Sequence, residues 1–456
     1  MSEQPPPTEP AASPFSDPDT VYAQDADIVT TTEGEPEGEP EGPRSWVGRA
    51  GNTFIEAIIY GSPAVITILA IFLALVVSAL LIVFSDPNVL HAWAAFFNAP
   101  GQALSLTWQS VSTAYSALFE GAIFSPSTIA AAFHGGSVAA IFYPISLTAF
   151  EATPLIFTGL SVAIAFRAGL FNIGAAGQFV AGSIIAAWLG FAVHLPGPIH
   201  ILVCVVGGFV GGAILGWLVG VLKARTGAHE VIVTIMLNYV MYNLLSYLLK
   251  TPKGLQAPHQ SNQIAPPIDN NAVFPHVGGP PPQANIGFLI AIAAAAGVAW
   301  LLSRSTIGFQ FRTVGANPRA ARSAGMSVER SWGLVMLIAG GLAGLAASAV
   351  IQGGAPPPPL TSNTYGTYGF DGITVALLGR ARPWGVVLAG LLFGALQAGG
   401  TAMQAATYPQ VPVDIIEVIQ GLIVLFVAAP PLIRAIFRLR AARETGMEAV
   451  AKGWNG

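Results

Sequence analysis

Long apolar runs without a charged side chain, broken by short polar stretches, set the pattern of this chain from residue 64 onwards. Ala64–Phe84 holds 21 such residues. As a helix rising ~1.5 Å per residue it reaches about 32 Å, enough to cross a hydrocarbon core of about 30 Å. Further runs cover about 145–166, 170–192, 199–222, 231–249, 286–302, 332–352, 371–379, 384–402 and 414–433. The pattern predicts an all-α, polytopic membrane protein with about ten transmembrane helices. The stretch 371–379 is too short to span alone; it is expected to be half of a broken helix or to continue back into 363–370. Between the first two spans, 85–144 is expected to hold short helices around 90–97 and 105–120 lying on the membrane surface. The stretch 250–285, rich in Pro, Gln and Asn, is expected to lack regular structure.

Lys and Arg orient the spans, because they gather in cytoplasmic loops. Residues 85–144, 193–199, 353–370 and 403–413 contain none. The alternate gaps hold Arg167; Lys223 and Arg225; Arg304, Arg312, Arg319, Arg322 and Arg330; Arg380 and Arg382; then Arg434, Arg438, Arg440 and Arg443. Ten crossings with both termini inside account for all of these, and only Lys250 and Lys253 fall outside. Trp300, Trp332 and Trp384 then sit at inner helix ends, as interface anchors do. If spans 2–5 and 7–10 are related units, their offset of five crossings turns the second upside down, the inverted-repeat geometry of many transporters. No residue-level repeat is visible.

Composition supports the lipid-embedded reading. Hydrophobic residues make up 53% and charged residues 9%, against about 25% charged in soluble domains. This excludes a soluble enzyme, a nucleic-acid-binding protein and a disordered scaffold. The net charge of −4 hides an asymmetry, since residues 1–43 carry eleven acidic and no basic side chains. Residues 1–50 are therefore expected to form a disordered acidic, Pro-rich cytoplasmic tail. The transmembrane domain is expected over 51–440, with a short cytoplasmic tail at 441–456. One cysteine, Cys204, and seven scattered histidines give no disulfide framework and no metal site. No G-x-x-x-x-G-K-[ST] sequence is present, so the chain cannot hold ATP phosphates by that device. No cofactor is expected, and no catalytic residue is assigned.

Two kinds of position inside the spans stand out. Gly208, Gly212, Gly216 and Gly220 recur every four residues, and Gly340/Gly344 and Gly390/Gly394 repeat the spacing. Such stripes let a second backbone approach closely, so tight helix packing is expected. Thr234, Asn238, Tyr242 and Ser246 form a polar stripe on span 5, while Asn172 and Gln178 flank Gly174 and Gly177 of FNIGAAGQ. Polar groups facing lipid would stay unsatisfied, so these must face protein or water. Interhelical hydrogen bonding and a water-filled solute pathway both fit. Glu151, Glu230, Asp371, Asp414 and Glu417 lie near span ends, and none sits in mid-span beside a cation. That weakens a proton- or sodium-coupled carrier acting alone. GFDG at 369–372 resembles an intramembrane protease motif, but the second carboxylate is missing, so Asp371 is read as a helix-start residue.

The basic stretch Ser303–Ser331 is the most informative polar segment. Asn317 can cap a helix and Pro318 suits its first position, with about two turns following to Gly325. Arg319 and Arg322, three apart, share a face. Such a helix could be a docking knob for a partner, or the stretch could be an ordinary basic loop.

Several segments in order along the chain resemble the permeases of ATP-binding-cassette importers of the branched-chain amino acid/ribose type, closest to the simple-sugar and nucleoside permeases. They are TPLIFTGLSVAIAFRAGLFNIGAAGQ (153–178), GAHEVIVTIMLNYV (227–240), VGANPRAARSAGM (314–326), GFDGITVALLGRARPWG (369–385) and VPVDIIEVIQGLIVLFVAA (411–429). Ala176 and His229 depart from residues common in that family. The resemblance implies a multi-pass subunit of a bacterial inner membrane that conducts a small polar solute and does no covalent chemistry. It implies three kinds of protein partner: ATPase subunits, a second permease (a relative or an identical copy) and an extracytoplasmic solute-binding protein. It also implies that 314–327, with Gly315, Asn317, Pro318, Arg319, Arg322 and Gly325, is the helix that couples to the ATPase.

Overall fold

The computed structural model describes residues 63–251, 254–276, 284–354, 356–364, 366–408, 410–412 and 414–438. The expected tails at 1–50 and 441–456 lie outside the described residues, as do Lys253, Arg440 and Arg443. Among the described residues, regular structure is helical apart from two isolated β-bridges. Eight helices are long and apolar enough to cross a membrane, or up to ten if two bent pairs each count as one. Among the described residues, proline occupies one of the first two positions of nine helices. There its missing N–H removes a donor that had no partner in any case, so a proline-rich chain can still be helical.

The helices run in chain order as α1 Pro63–Ser85, α2 Pro87–Ala94, α3 Pro100–Ala122, α4 Pro126–Phe133, α5 Tyr143–Arg167, α6 Ala175–Ala192, α7 Gly197–Thr226 and α8 Glu230–Lys250. They continue as α9 Ile286–Arg304, α10 Thr306–Ala316, α11 Pro318–Ser323, α12 Val328–Gly353, α13 Tyr368–Leu378, α14 Pro383–Ala406, α15 Asp414–Ala428 and α16 Pro430–Ile436. Two helices form the middle of the bundle. α5 and α12 are buried over 78% of their most apolar stretch, whereas α8 is buried over only 22% and leaves its outer face to lipid.

Glycine decides which helices touch. α7 packs against α12 with backbones in contact: a Cβ added at Gly212 would run into the Gly340 carbonyl, and one at Gly208 would meet the Ser348 hydroxyl. The Gly390/Gly394 pair on α14 does the same against Ile156 and Ala152 of α5. Close approach replaces side-chain interdigitation, which is how helices gain dispersion energy where lipid supplies no hydrophobic drive.

One expectation needs correction and two features add to what was expected. The segment expected around 105–120 is the 23-residue α3, and it is not only a surface helix. It packs on α14, where Gly121 abuts Ala402, and on α1, where Tyr115 donates to the Leu75 carbonyl. Alanines and serines at helical spacing let it lie close, a signal weaker than an apolar run. Second, 254–276 is irregular as expected but is no loose loop. Leu255, Ala265, Ile268, Ala272 and Phe274 are buried, and Gln352 Nε2 donates to the Ala272 carbonyl at 2.8 Å. Third, the basic stretch contains a further helix, α10, capped by Ser305, whose hydroxyl accepts from Gly308 N at 2.9 Å.

Candidate functional site

The third span starts later than its apolar run. α6 begins at Ala175, and residues 168–174 approach it as irregular backbone. Asn172 and Gln178 hold this break. Asn172 Nδ2 donates to Gln178 Oε1 at 2.9 Å, and Gln178 Nε2 returns a bond to Asn172 Oδ1 at 3.1 Å. From α8, Asn238 Oδ1 accepts from Gly177 N at 2.8 Å, and its Nδ2 donates to the Ile173 carbonyl at 3.1 Å. One amide thus satisfies a donor of the broken start that has no helical partner. Thr234 donates within its own helix to the Glu230 carbonyl at 2.7 Å, and Ser246 donates to Gln263 Oε1 at 3.1 Å. Tyr242 meets Tyr239 edge to face. Of the predicted polar stripe, Asn238 bonds across to the start of α6 and Ser246 to the 254–276 segment, while Thr234 bonds within α8.

The short span is a half-helix. α13 has 11 residues, about 16 Å of helix, so it covers half of a bilayer core. Its start meets the start of α6: a Cβ on Gly369 would collide with Ala176, and the Tyr368 ring stacks on Phe179 with centroids 5.8 Å apart. Two shortened helices, each approached by non-helical backbone, thus begin against one another. They hold corresponding places in the two sets expected to be related by inversion. Such a pair is the usual pointer to a transport site.

Beside the start of α13 lies an open cleft of about 330 Å³. Glu151 of α5, Gln397 and Thr401 of α14, and Glu417 and Gln420 of α15 line it together with Asn363, Thr364, Thr367 and Tyr368. Among the described residues, no Lys, Arg or His lines it. Thr367 Oγ1 donates to Asp371 Oδ2 at 2.6 Å and ties the first turn of α13, which agrees with Asp371 as a helix-start residue. Gln420 is only 5% exposed and its amide nitrogen has no hydrogen-bond partner. Among the described residues, no group of three or more His, Cys, Asp and Glu could hold a metal. The sequence named Glu151 and Glu417 but did not bring them together. They lie far apart along the chain, and only the packing of α5, α14 and α15 makes them neighbours.

The opposite, basic end carries the short helix expected after Asn317. Asn317 Oδ1 accepts from Arg319 N at 3.0 Å and Ala320 N at 3.1 Å. α11 ends at Gly325, whose φ of +80° suits a glycine stop. Ala321 is buried against Val314 and Val328, while Arg319 and Arg322 are exposed. Arg322 also pairs with Glu329 at 2.5 Å, an ion pair the sequence did not suggest. Lys223 pairs with Glu230 at 2.6 Å and lies 5.0 Å from the centre of the Trp332 ring, joining α7, α8 and α12 at this end.

A direct mechanical line runs from this helix into the bundle. Gly315 rests on the α5–α6 turn, where a Cβ would strike the Arg167 carbonyl. Arg167 Nε donates at 2.9 Å to the carbonyl of Ala381, in the turn that closes α13. The contacts thus run from Gly315 of α10, just before α11, through Arg167 to the turn that follows α13.

Comparison with known proteins identifies the architecture. A profile of the family described as branched-chain amino acid transport system / permease component matches residues 144–428. The guanosine ABC transporter permease protein NupP of Bacillus subtilis is 35% identical over 330 residues, 72% of this chain and 88% of the relative. The nucleoside ABC transporter permease protein NupB of Lactococcus lactis is 34% identical, covering 65% and 84%. The glucose ABC transporter permease protein TsgB13 of Haloferax volcanii is 33% identical, covering 60% and 73%. No solved structure gives a significant match. The family match over most of the helical bundle shows that the chain belongs to the branched-chain amino acid transport system permease family, and is a permease component of an ABC transporter.

Proposed function

We propose that the chain forms one side of a nucleoside conduit, with its basic end in the cytoplasm and worked there by a separate ATPase. The observation that carries this reading is the line from α11 through Gly315 and Arg167 to Ala381 and α13. A push on an exposed basic helix has a short, stiff route to the half-helix beside a polar cleft. Both termini are read as cytoplasmic, because the basic residues gather at one end. A solute-binding protein delivers cargo at the other end. Thr401 and Glu417 are exposed on a chain embedded in lipid, where polar side chains require water or protein. A second permease, a relative or a copy, facing the cleft meets that requirement. None of Asn172, Gln178, Thr234, Asn238, Tyr242 and Ser246 lines the cleft; Asn172, Gln178 and Asn238 hold the broken start of α6 in place.

The choice of nucleoside over sugar rests on the two relatives named for guanosine and nucleosides; the relative named for glucose supplies the second reading. Reconstitution of the full importer with labelled guanosine and labelled glucose decides. ATP-dependent guanosine uptake, with glucose carried at a tenth of that rate or less, is expected. Glucose uptake without guanosine uptake overturns the nucleoside assignment.

A further inference from the structure

We infer that the cleft between α5, α14, α15 and the start of α13 is a solute-contact site in the permease itself, and that it admits uncharged, hydroxyl-rich solutes while disfavouring anions. The inference rests on the nucleoside-permease reading and extends it to a selectivity filter that the binding protein alone does not provide.

Three observations support it. Among the described residues between Gly353 and Tyr368 none is helical, although they lead to a half-helix that starts within the bundle. At membrane depth such backbone is tolerated only where it is buried in protein or borders water, and the open cleft beside it is where water can reach it. Its volume of about 330 Å³ falls at the lower end of small-molecule sites, roughly 300–1,000 Å³. Its chemistry is one-sided: Glu151 and Glu417 accept hydrogen bonds, amides and hydroxyls do both, and among the described residues no cation lines it to receive a phosphate. Ribose hydroxyls can donate to the carboxylates, and Gln420 Nε2, buried and unpartnered, remains to donate to a ring nitrogen, carbonyl or hydroxyl. A phosphate would meet like charge in a setting less screened than bulk water.

The chain's single cysteine supplies the test. Cys204 is buried, so a Cys204→Ser background can carry one new thiol. Thr401→Cys places it in the cleft, and Asn98→Cys at an exposed reference site. Both are made in the assembled importer and treated with methanethiosulfonates of similar size, one cationic and one anionic. Labelling is read on this chain by mass spectrometry. Relative to the reference thiol, the cleft thiol is expected to react about tenfold faster with the cation. Adding Glu151→Gln and Glu417→Gln should abolish that preference. Millimolar guanosine should slow labelling in the cleft and not at residue 98, and guanosine 5′-monophosphate should not. Equal rates with the two reagents, an anion preference, no labelling at all, or equal protection by the monophosphate would overturn the proposal. Cation preference with protection by glucose and not guanosine keeps the site and sinks the nucleoside assignment instead.

Discussion

Two helix pairs in this molecule solve the same packing problem in opposite ways. Along α7 and α12, glycines bring two backbones together so closely that no side chain fits between them. At α6 and α13, both helices begin late, irregular backbone replaces helix, and an open polar cleft lies alongside. The first is a seam with no freedom to slide. The second has helix starts held by side chains across a chain break, with open space alongside, which are the ingredients of a part that can change shape. A transporter needs both: a fixed frame to push against and a gate that yields.

Substitutions can break or sharpen this contrast. The largest effect is expected at the seam. Gly212→Leu forces a side chain into the Gly340 carbonyl, and overpacking of this kind costs about 3 kcal/mol or more where backbone cannot retreat. Loss of folded protein from the membrane, and a lowered Tm in detergent, should follow; normal yield and Tm would mean the seam can part. In the cleft the order reverses. Thr401→Leu should leave stability within about 1 kcal/mol and lower uptake about tenfold, because it fills space that solute needs. Equal damage to Tm would show that the cleft is core.

Smaller effects are expected on the line between docking helix and gate. Arg167→Gln removes the bond to the Ala381 carbonyl, a loss of about 1–3 kcal/mol for a charge-assisted hydrogen bond. Solute moved per ATP hydrolysed should fall several-fold while hydrolysis continues. An unchanged ratio would remove Arg167 from the route. The mildest change is Asn317→Ala, which deletes the cap of α11 at a cost of about 1 kcal/mol. ATPase association, measured by co-purification, should weaken two- to fivefold.

The sequence was most legible where one element carries its own signal. The runs at 145–166, 199–222 and 286–302 coincide with α5, α7 and α9 to within a few residues. The four-residue glycine spacing named the seam, and Asn317–Pro318 gave the start of α11 because capping is a local affair. It was least legible where contacts cross the chain. α3 is built largely from small and hydroxyl residues whose packing depends on Gly399 and Ala402, nearly 300 positions away. Glu151, Gln397 and Glu417 meet only because three helices converge. The polar stripe on α8 was readable as polar, but the meeting of Asn238 with the chain break at 168–174 was not.

The central claim is that this chain moves solute only when an ATPase works its basic end. The direct test is uptake into liposomes holding the purified permease pair and binding protein, with and without the ATPase. Under the account, uphill accumulation requires the ATPase and hydrolysable ATP, and the double variant Arg319→Glu/Arg322→Glu inserts normally but separates hydrolysis from uptake. Uphill accumulation with no nucleotide hydrolase present, driven by a proton or sodium gradient, would contradict it.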